Sequence, residues 1–333
     1  MKSDSLGKSR SFLDPRVVAT LSAIPFLSRR PMQGSVSGRH ASPHRGSSVE
    51  FAEYRKYVPG DDPRRLDWRA VGRSDRLYIK EFEADTNFRC ILVVDTSGSM
   101  GFESMMAASH AGVGASQALP TTEPERRLGR SGRKMSKLEY AKCLAATLAY
   151  LAVEQGDAVG LSLASDKLLQ EIPARRNAAH LAHIFEALET AAPRGATELP
   201  KLLHQLAETT PARALVLVFS DFFIEPDILR GCFEHLRFRK HDVGAFHLLA
   251  AEELHFNFQR PTRFVDLEGG AAMFIEPTEI ADRYQAAMSQ YLDRLLHVMR
   301  ETNTDYQRVV LDEPYAHALS RFLIARASRR SHR

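Results

Sequence analysis

The chain has 333 residues, 44% of them hydrophobic, a formal net charge of +4 and a sequence pI near 9.0, enough length and apolar content for one large core with appended elements or for two domains. No apolar run approaches the roughly 20 residues of a membrane helix, and the opening Met1-Lys2-Ser3-Asp4-Ser5 carries no compact apolar segment for export, so a cytoplasmic location without direct membrane insertion is expected. Cys90, Cys143 and Cys232 are odd in number, scattered and without metal-ligand spacing, which predicts reduced, buried thiols.

Residues 1–50 form a basic arm, with Lys2, Lys8, Arg10, Arg16, Arg29, Arg30, Arg39 and Arg45 against Asp4, Asp14 and Glu50. The arm is rich in Ser and Gly and poor in the aromatics that stack bases. A largely flexible, solvated segment is therefore expected, and nucleic-acid binding is only an alternative. Within it Val17, Val18, Leu21 and Ile24 are spaced for a short amphipathic helix that Pro25 ends or kinks. Residues 51–87 are a charged segment expected to pack on the core. It includes the turn Pro59-Gly60, the cluster Asp61, Asp62, Arg64, Arg65 and Asp67 beside the single Trp68, and a strand from Leu77 to Glu83.

Phe88 to Asp95 is a strand apolar on both faces, which predicts a central parallel strand. Residues 101–136 read as a flexible insertion with a basic cluster at Arg126, Arg127, Arg130, Arg133 and Lys134. Strong helical periodicity follows from Lys137 to Glu154, then a strand from Asp157 to Ala164. Helices are predicted at Ala178 to Thr190 and Leu199 to Thr209, a strand at Ala214 to Ser220, a helix at Ile228 to Arg237 and a strand at Asp242 to Leu249. This alternation predicts an α/β fold, a doubly wound, mostly parallel sheet with helices on both faces. A smaller hairpin-like region at Arg263 to Ile275 turns at Gly269-Gly270. A long helix from Thr278 to Arg300 comes next, with Arg283, Asp293, Arg294 and Arg300 on a solvated face, then a strand from Tyr306 to Leu311. A last helix after Pro314 would dock Ala318, Phe322 and Ile324, and the basic residues from Arg326 onward, with 328–333 as a tail, read as solvated.

Chemistry concentrates where the first apolar strand runs into Asp95-Thr96-Ser97-Gly98-Ser99. Ligands of open parallel sheets bind outside the carboxyl ends of the strands, and alternate Asp, Ser and Ser offer the hard oxygens that Mg²⁺ prefers. The bland reading is a strand-to-helix turn with a helix cap. Two further loops bring oxygens to the same edge, Thr197 before a helix and Asp221 after the second apolar strand. Thr197 has its own bland reading, a cap hydroxyl.

The ordered set Asp-x-Ser-x-Ser, Thr, Asp resembles the metal-ion-dependent adhesion site of von Willebrand factor type A (vWA) domains. The resemblance implies that Ser97, Ser99 and Thr197 hold Mg²⁺ (or Mn²⁺) directly or through water, that Asp95 and Asp221 act largely through water, and that an Asp or Glu of a protein ligand completes the ion. The blocks Ser42-Pro43-His44-Arg45-Gly46, Glu50 to Arg55, Tyr57-Val58-Pro59-Gly60-Asp61-Asp62-Pro63-Arg64-Arg65-Leu66-Asp67-Trp68 and Leu77 to Phe82 resemble the bacterial domain-of-unknown-function family fifty-eight, from about Leu21 to near Ala327. That family is vWA-like and commonly accompanies MoxR-type AAA+ ATPases. The implied domain is then 88–327, and the implied role a metal-dependent adaptor or chaperone component beside such an ATPase.

Enzyme readings find little support. Asp95 lacks the second acid two residues on that aspartate-nucleophile phosphatases use, Ser97 lacks the flanking glycines of a nucleophile elbow, and no P-loop or His-Glu-x-x-His zinc motif is present. A Mg²⁺-dependent phosphohydrolase is the alternative from that class. For Asp61, Asp62, Arg64, Asp67 and Trp68, an internal clamp and a partner-docking surface stay open. Trp68→Ala separates them: a clamp loses about 3 to 5 kcal/mol in thermal or chemical unfolding, whereas a docking face keeps its melting temperature and loses partner binding in a pull-down.

Overall fold

The computed structural model describes residues 10–24, 50–56, 78–83, 89–104, 135–164, 170–211, 213–258 and 260–331. Strands β1 (Glu50–Lys56) and β2 (Tyr78–Glu83) pair antiparallel as a separate ribbon. The main sheet takes β3 (Arg89–Asp95), β4 (Ala158–Ala164), β5 (Gln170–Arg175), β6 (Leu215–Ser220) and β7 (Asp242–Leu249). Strands β8 (Thr262–Phe264) and β9 (Met273–Ile275) make a small hairpin, and β10 (Asp305–Val310) returns to the main sheet. Its order among the described residues is β10-β7-β6-β3-β4-β5, parallel throughout except for β5, which runs antiparallel on β4.

Pleating sends alternate side chains of each strand to opposite faces, and here both faces are covered. Cys90, Leu92 and Val94 of β3, with Leu215, Leu217 and Phe219 of β6, pack under α1 (Pro15–Leu21), α2 (Lys137–Glu154), α3 (Ala178–Thr190) and, at the far end of the chain, Tyr315–Ser331. Ile91 and Val93, with Val216 and Val218, pack under α4 (Leu199–Thr209), α5 (Pro226–Phe238) and, after the short α6 (Ala251–His255), α7 (Pro277–Glu301). The terminal helix Tyr315–Ser331 is α8. This is the doubly wound arrangement expected of uninterrupted apolar strands alternating with amphipathic helices. Helix α2 begins in a capping box, Ser136 Oγ accepting from the Glu139 amide and Glu139 from the Ser136 amide, each at 3.1 Å, which fixes its first residue as Lys137. All three cysteines are buried and unpaired, and no helix among the described residues is long and apolar enough to cross a membrane.

The structure corrects several expectations. Residues 10–24 are not a solvated arm: Phe12, Leu13, Val17 and Leu21 are buried in the main core, because the apolar stripe of α1 finds a face against α2 and α8. Strands β1 and β5 were not foreseen. β5 includes Pro173, which an antiparallel edge tolerates and a central strand does not. In α8, Ala318 and Phe322 dock as expected, but Ile324 is 56% exposed. Arg326 is buried, where a solvated cation was expected. Its guanidinium donates to Asp242 Oδ2 at 2.6 Å and Asp305 Oδ2 at 2.5 Å, joining the first residues of β7 and β10 to the C-terminal helix, which runs on to Ser331. Asp61, Asp62, Arg64, Asp67 and Trp68, and residues 105–134 of the insertion, lie outside the described residues.

Removing one partner of a buried ion cluster strands the other charges. Arg326→Met is expected to cost about 3 to 5 kcal/mol in urea unfolding, and a cost below about 1 kcal/mol, typical of exposed pairs, would show that α8 is not held through this cluster.

Candidate metal centre

The sheet register sets the site. β3 and β6 are parallel neighbours with Val94 opposite Phe219, so Asp95 and the Ser220-Asp221 pair leave the sheet side by side at its carboxyl edge. The first loop continues as a single 3₁₀ turn, Gly98–Gly101. The loop before α4 is tied to it by two backbone bonds, Gly98 N–H to the Gly195 carbonyl and Arg194 N–H to the Thr96 carbonyl, both 2.8 Å. That tie is why Thr197, 102 residues along the chain, reaches Asp95.

Four of the five residues predicted from sequence form one hydrogen-bonded cluster. Asp95 Oδ1 accepts from the Ser97 amide at 2.9 Å, and Oδ2 accepts from Thr197 Oγ1 at 3.3 Å and from Ser220 Oγ at 2.6 Å. Ser97 Oγ and Ser99 Oγ lie 3.1 Å apart. Asp95 and Ser97 are buried while Ser99 and Thr197 are half-buried, so the hydroxyl side of the cluster faces outward. The Thr197 hydroxyl also accepts from the Leu199 amide at 3.3 Å, so its capping role and its place in the site coexist.

The fifth residue, Asp221, is buried too, and its recorded partner is a cation: Lys137 Nζ sits 2.8 Å from Asp221 Oδ2 and 2.6 Å from Glu253 Oε1. Burial pulls the Lys137 ammonium down, but Asp221 and Glu253 more than offset it and its pKa is raised. Burial, and then the Asp221 charge, push the Asp95 carboxyl up to about 6 despite the hydrogen bonds from Ser220 and Ser97. Behind the pair, burial pulls His247 down to about 3, so its ring is neutral, with Nδ1 2.7 Å from the Tyr306 hydroxyl.

Phe222, next after Asp221, has φ +50°, a left-handed conformation that a bulky residue adopts only when its surroundings impose it. Its ring is fully buried, its amide donates to Ser220 Oγ at 2.9 Å and its carbonyl accepts from the Tyr291 hydroxyl. On the other side, a Cβ added to Gly98 would stand 2.0 Å from the Leu267 carbonyl oxygen, so only glycine lets the β8–β9 hairpin rest on the site loop.

A metal implied by the vWA resemblance can be tested against these groups. Carboxylate and hydroxyl oxygens are what Mg²⁺ or Mn²⁺ takes, and Asp95 is a carboxyl whose pKa is raised first by burial and then by the Asp221 charge. The donor set fits a hard divalent ion held partly through water. Among the described residues no group of three or more His, Cys, Asp or Glu gathers to bind a metal, so a site built from charged ligands alone is not offered. Sequence reasoning missed Ser220, Lys137 and Glu253. Ser220 was legible as the neighbour of Asp221, whereas nothing in the local pattern distinguishes Lys137 from a solvated helix cation.

A model of a family described as "Protein of unknown function DUF58" matches residues 53–129 and 124–292. "Uncharacterized protein Mb1516" of Mycobacterium bovis is 24% identical over 212 residues, 63% of this chain, and the chain spans 58% of that relative's length. Among solved structures, the conserved hypothetical protein BatB from Bacteroides thetaiotaomicron aligns over 72% of this chain and 99% of its own at 15% identity and a TM-score of 0.39. The SpRpn10 VWA domain aligns over 71% and 95% at 10% identity and a TM-score of 0.39.

The pH dependence of the metal-free protein follows from Asp95. A carboxyl raised from 3.8 to about 6 on folding favours the folded state fully below pH 3.8, and that contribution is lost as pH rises through 6. Asp95→Asn has no such loss. Without divalent metal it is expected to gain on the parent by about 1 to 3 kcal/mol between pH 4 and 8, in chemical unfolding at each pH. A gap that does not widen with pH would contradict the assignment.

Proposed function

This chain belongs to the DUF58 family, proteins of unknown function, and on that footing we propose that it is a non-catalytic, metal-dependent protein-interaction module. The observation that carries the reading is the convergence of Asp95, Ser97, Ser99, Thr197 and Asp221 at the carboxyl edge of β3 and β6, with the Asp95 carboxyl buried beside its acidic neighbour. Ser97, Ser99 and Thr197 would hold Mg²⁺ or Mn²⁺, with Asp95 and Asp221 acting largely through water. Bound there, the ion supplies a Lewis-acidic position for a carboxylate of a partner protein.

The chain's own residues hold the cluster in place. Ser220, Thr197 and the Ser97 amide fix the Asp95 carboxylate in one orientation, and the Ser97 and Ser99 hydroxyls lie within hydrogen-bond distance of each other. Apolar side chains are exposed beside the cluster, with Arg263 and Asp266 exposed among them. Val265, Leu267, Met273 and Phe274 of the hairpin region and Phe223 after Asp221 are exposed, at 57%, 48%, 61%, 75% and 44%. An apolar patch around a few polar anchor groups is the usual make-up of a protein interface. A partner carboxylate removed from water needs a compensating charge, so the site would select a protein segment with Asp or Glu among apolar residues. The proposed companion is a MoxR-type AAA+ ATPase, with the chain as its adaptor or chaperone component in the cytoplasm.

Calorimetric titration with Mg²⁺ and Mn²⁺ tests the reading. The parent is expected to bind one ion, and Asp95→Ala or Ser97→Ala to weaken it by more than about tenfold (~1.4 kcal/mol) with the fold intact by circular dichroism. Equal affinity in parent and both variants would sink it.

A further inference from the structure

Resting on the metal reading of this site, we infer that the Lys137 ammonium is the resident counter-cation of the centre, and that metal binding moves it off Asp221 onto Glu253. Lys137 is thereby the residue that sets metal affinity. Its side chain is almost fully buried, and Nζ is bracketed by Asp221 Oδ2 at 2.8 Å and Glu253 Oε1 at 2.6 Å. The two carboxylates are not equivalent. Asp221 belongs to the metal cluster at the end of β6, whereas Glu253 stands on α6, its other oxygen accepting from the Ala250 amide at 2.8 Å, which holds it in place.

The ammonium and a divalent ion compete for Asp221 because two cations on one buried carboxylate repel strongly at low dielectric. A lysine suits this role better than an arginine. It is a point charge on a flexible stem that can transfer between neighbouring oxygens, whereas a guanidinium locks onto carboxylates through a rigid fork. The rings of Phe102 and Phe223, 5.8 and 5.1 Å from Nζ, give the ammonium further cation–π support without adding a competing formal charge. The capping box at Ser136 fixes the helical position from which the stem extends, so the ammonium moves while its backbone does not.

The two carboxylate partners give opposite expectations. Lys137→Met removes the competitor and is expected to tighten Mn²⁺ binding about tenfold or more. Glu253→Gln removes the alternative anion and leaves Lys137 with Asp221 alone, so it is expected to weaken Mn²⁺ binding by a similar factor. Both are read by electron paramagnetic resonance titration of Mn²⁺ against the full chain, with circular dichroism as the check on folding. A Lys137 that serves only to hold the loop together predicts weaker binding in both variants, and that result overturns the inference while the parent's own binding leaves the metal reading standing. Should Lys137→Met fail to fold, Lys137→Gln, which keeps the stem without the charge, takes its place, and unchanged or weaker Mn²⁺ binding in it overturns the inference. Absence of Mn²⁺ binding in the parent and in both variants overturns the metal reading and this inference with it.

Discussion

Two carboxylates, Asp95 and Asp221, are buried beside each other at the ends of adjacent central strands, and the arrangement of the surrounding loops answers that constraint. A buried charge is tolerated only when paired and hydrogen-bonded. Asp95 takes a backbone amide and two hydroxyls, and Asp221 takes the Lys137 ammonium. Each donor comes from a different stretch of chain: the Asp95–Ser99 loop itself, the loop before α4, the end of β6 and the start of α2. The polar cluster is therefore also a fastener that holds the carboxyl edge of the sheet together.

The opposite edge has its own cation between two acids, Arg326 with Asp242 and Asp305. The contrast separates structural from functional use of buried charge. Arg326 is a forked donor, each arm on one aspartate, with all three side chains buried, which suits a permanent brace. Lys137 is a point charge shared between two acids next to half-buried hydroxyls and an exposed apolar hairpin. The left-handed Phe222 lies at this edge, where backbone strain of order 1 to 3 kcal/mol is held by burial of its ring and by Tyr291.

The hairpin is joined to the site through a missing side chain. Gly98 brings the site loop and the Leu267 carbonyl close enough to exclude even a methyl group, so movement of either is felt by the other. Below the hairpin, Phe256, Phe258, Phe264 and Tyr284 form a ring cluster, part stacked and part edge-to-face, with centroids 4.5 to 5.7 Å apart, and tie it to α7. Its apolar residues are thus held beside the carboxylates on a supported element.

The sequence by itself determined the fold class, the alternation of central strands and helices, and four members of the hydrogen-bonded site with Asp221 beside them, because those depend on local signals. Apolar runs without polar interruption make buried parallel strands, 3.6-residue periodicity makes helices, and Asp95 and Asp221, at the carboxyl ends of two such strands, fall on one edge once the strands are parallel, whereas Thr197 is brought there by the backbone ties between its loop and the Asp95 loop. Bounds such as Lys137–Glu154, Ala178–Thr190 and Asp242–Leu249 are those predicted from the sequence. Only the tertiary structure decided which cations are buried. Lys137 and Arg326 are ordinary basic residues in the local pattern, and their roles exist because residues 84 positions away in each case, Asp221 and Asp242, are brought to them by the sheet order. The docking of α1 and the edge strand β5 escaped for the same reason, since short segments of mixed composition take their structure from the surface they meet rather than from their own propensities.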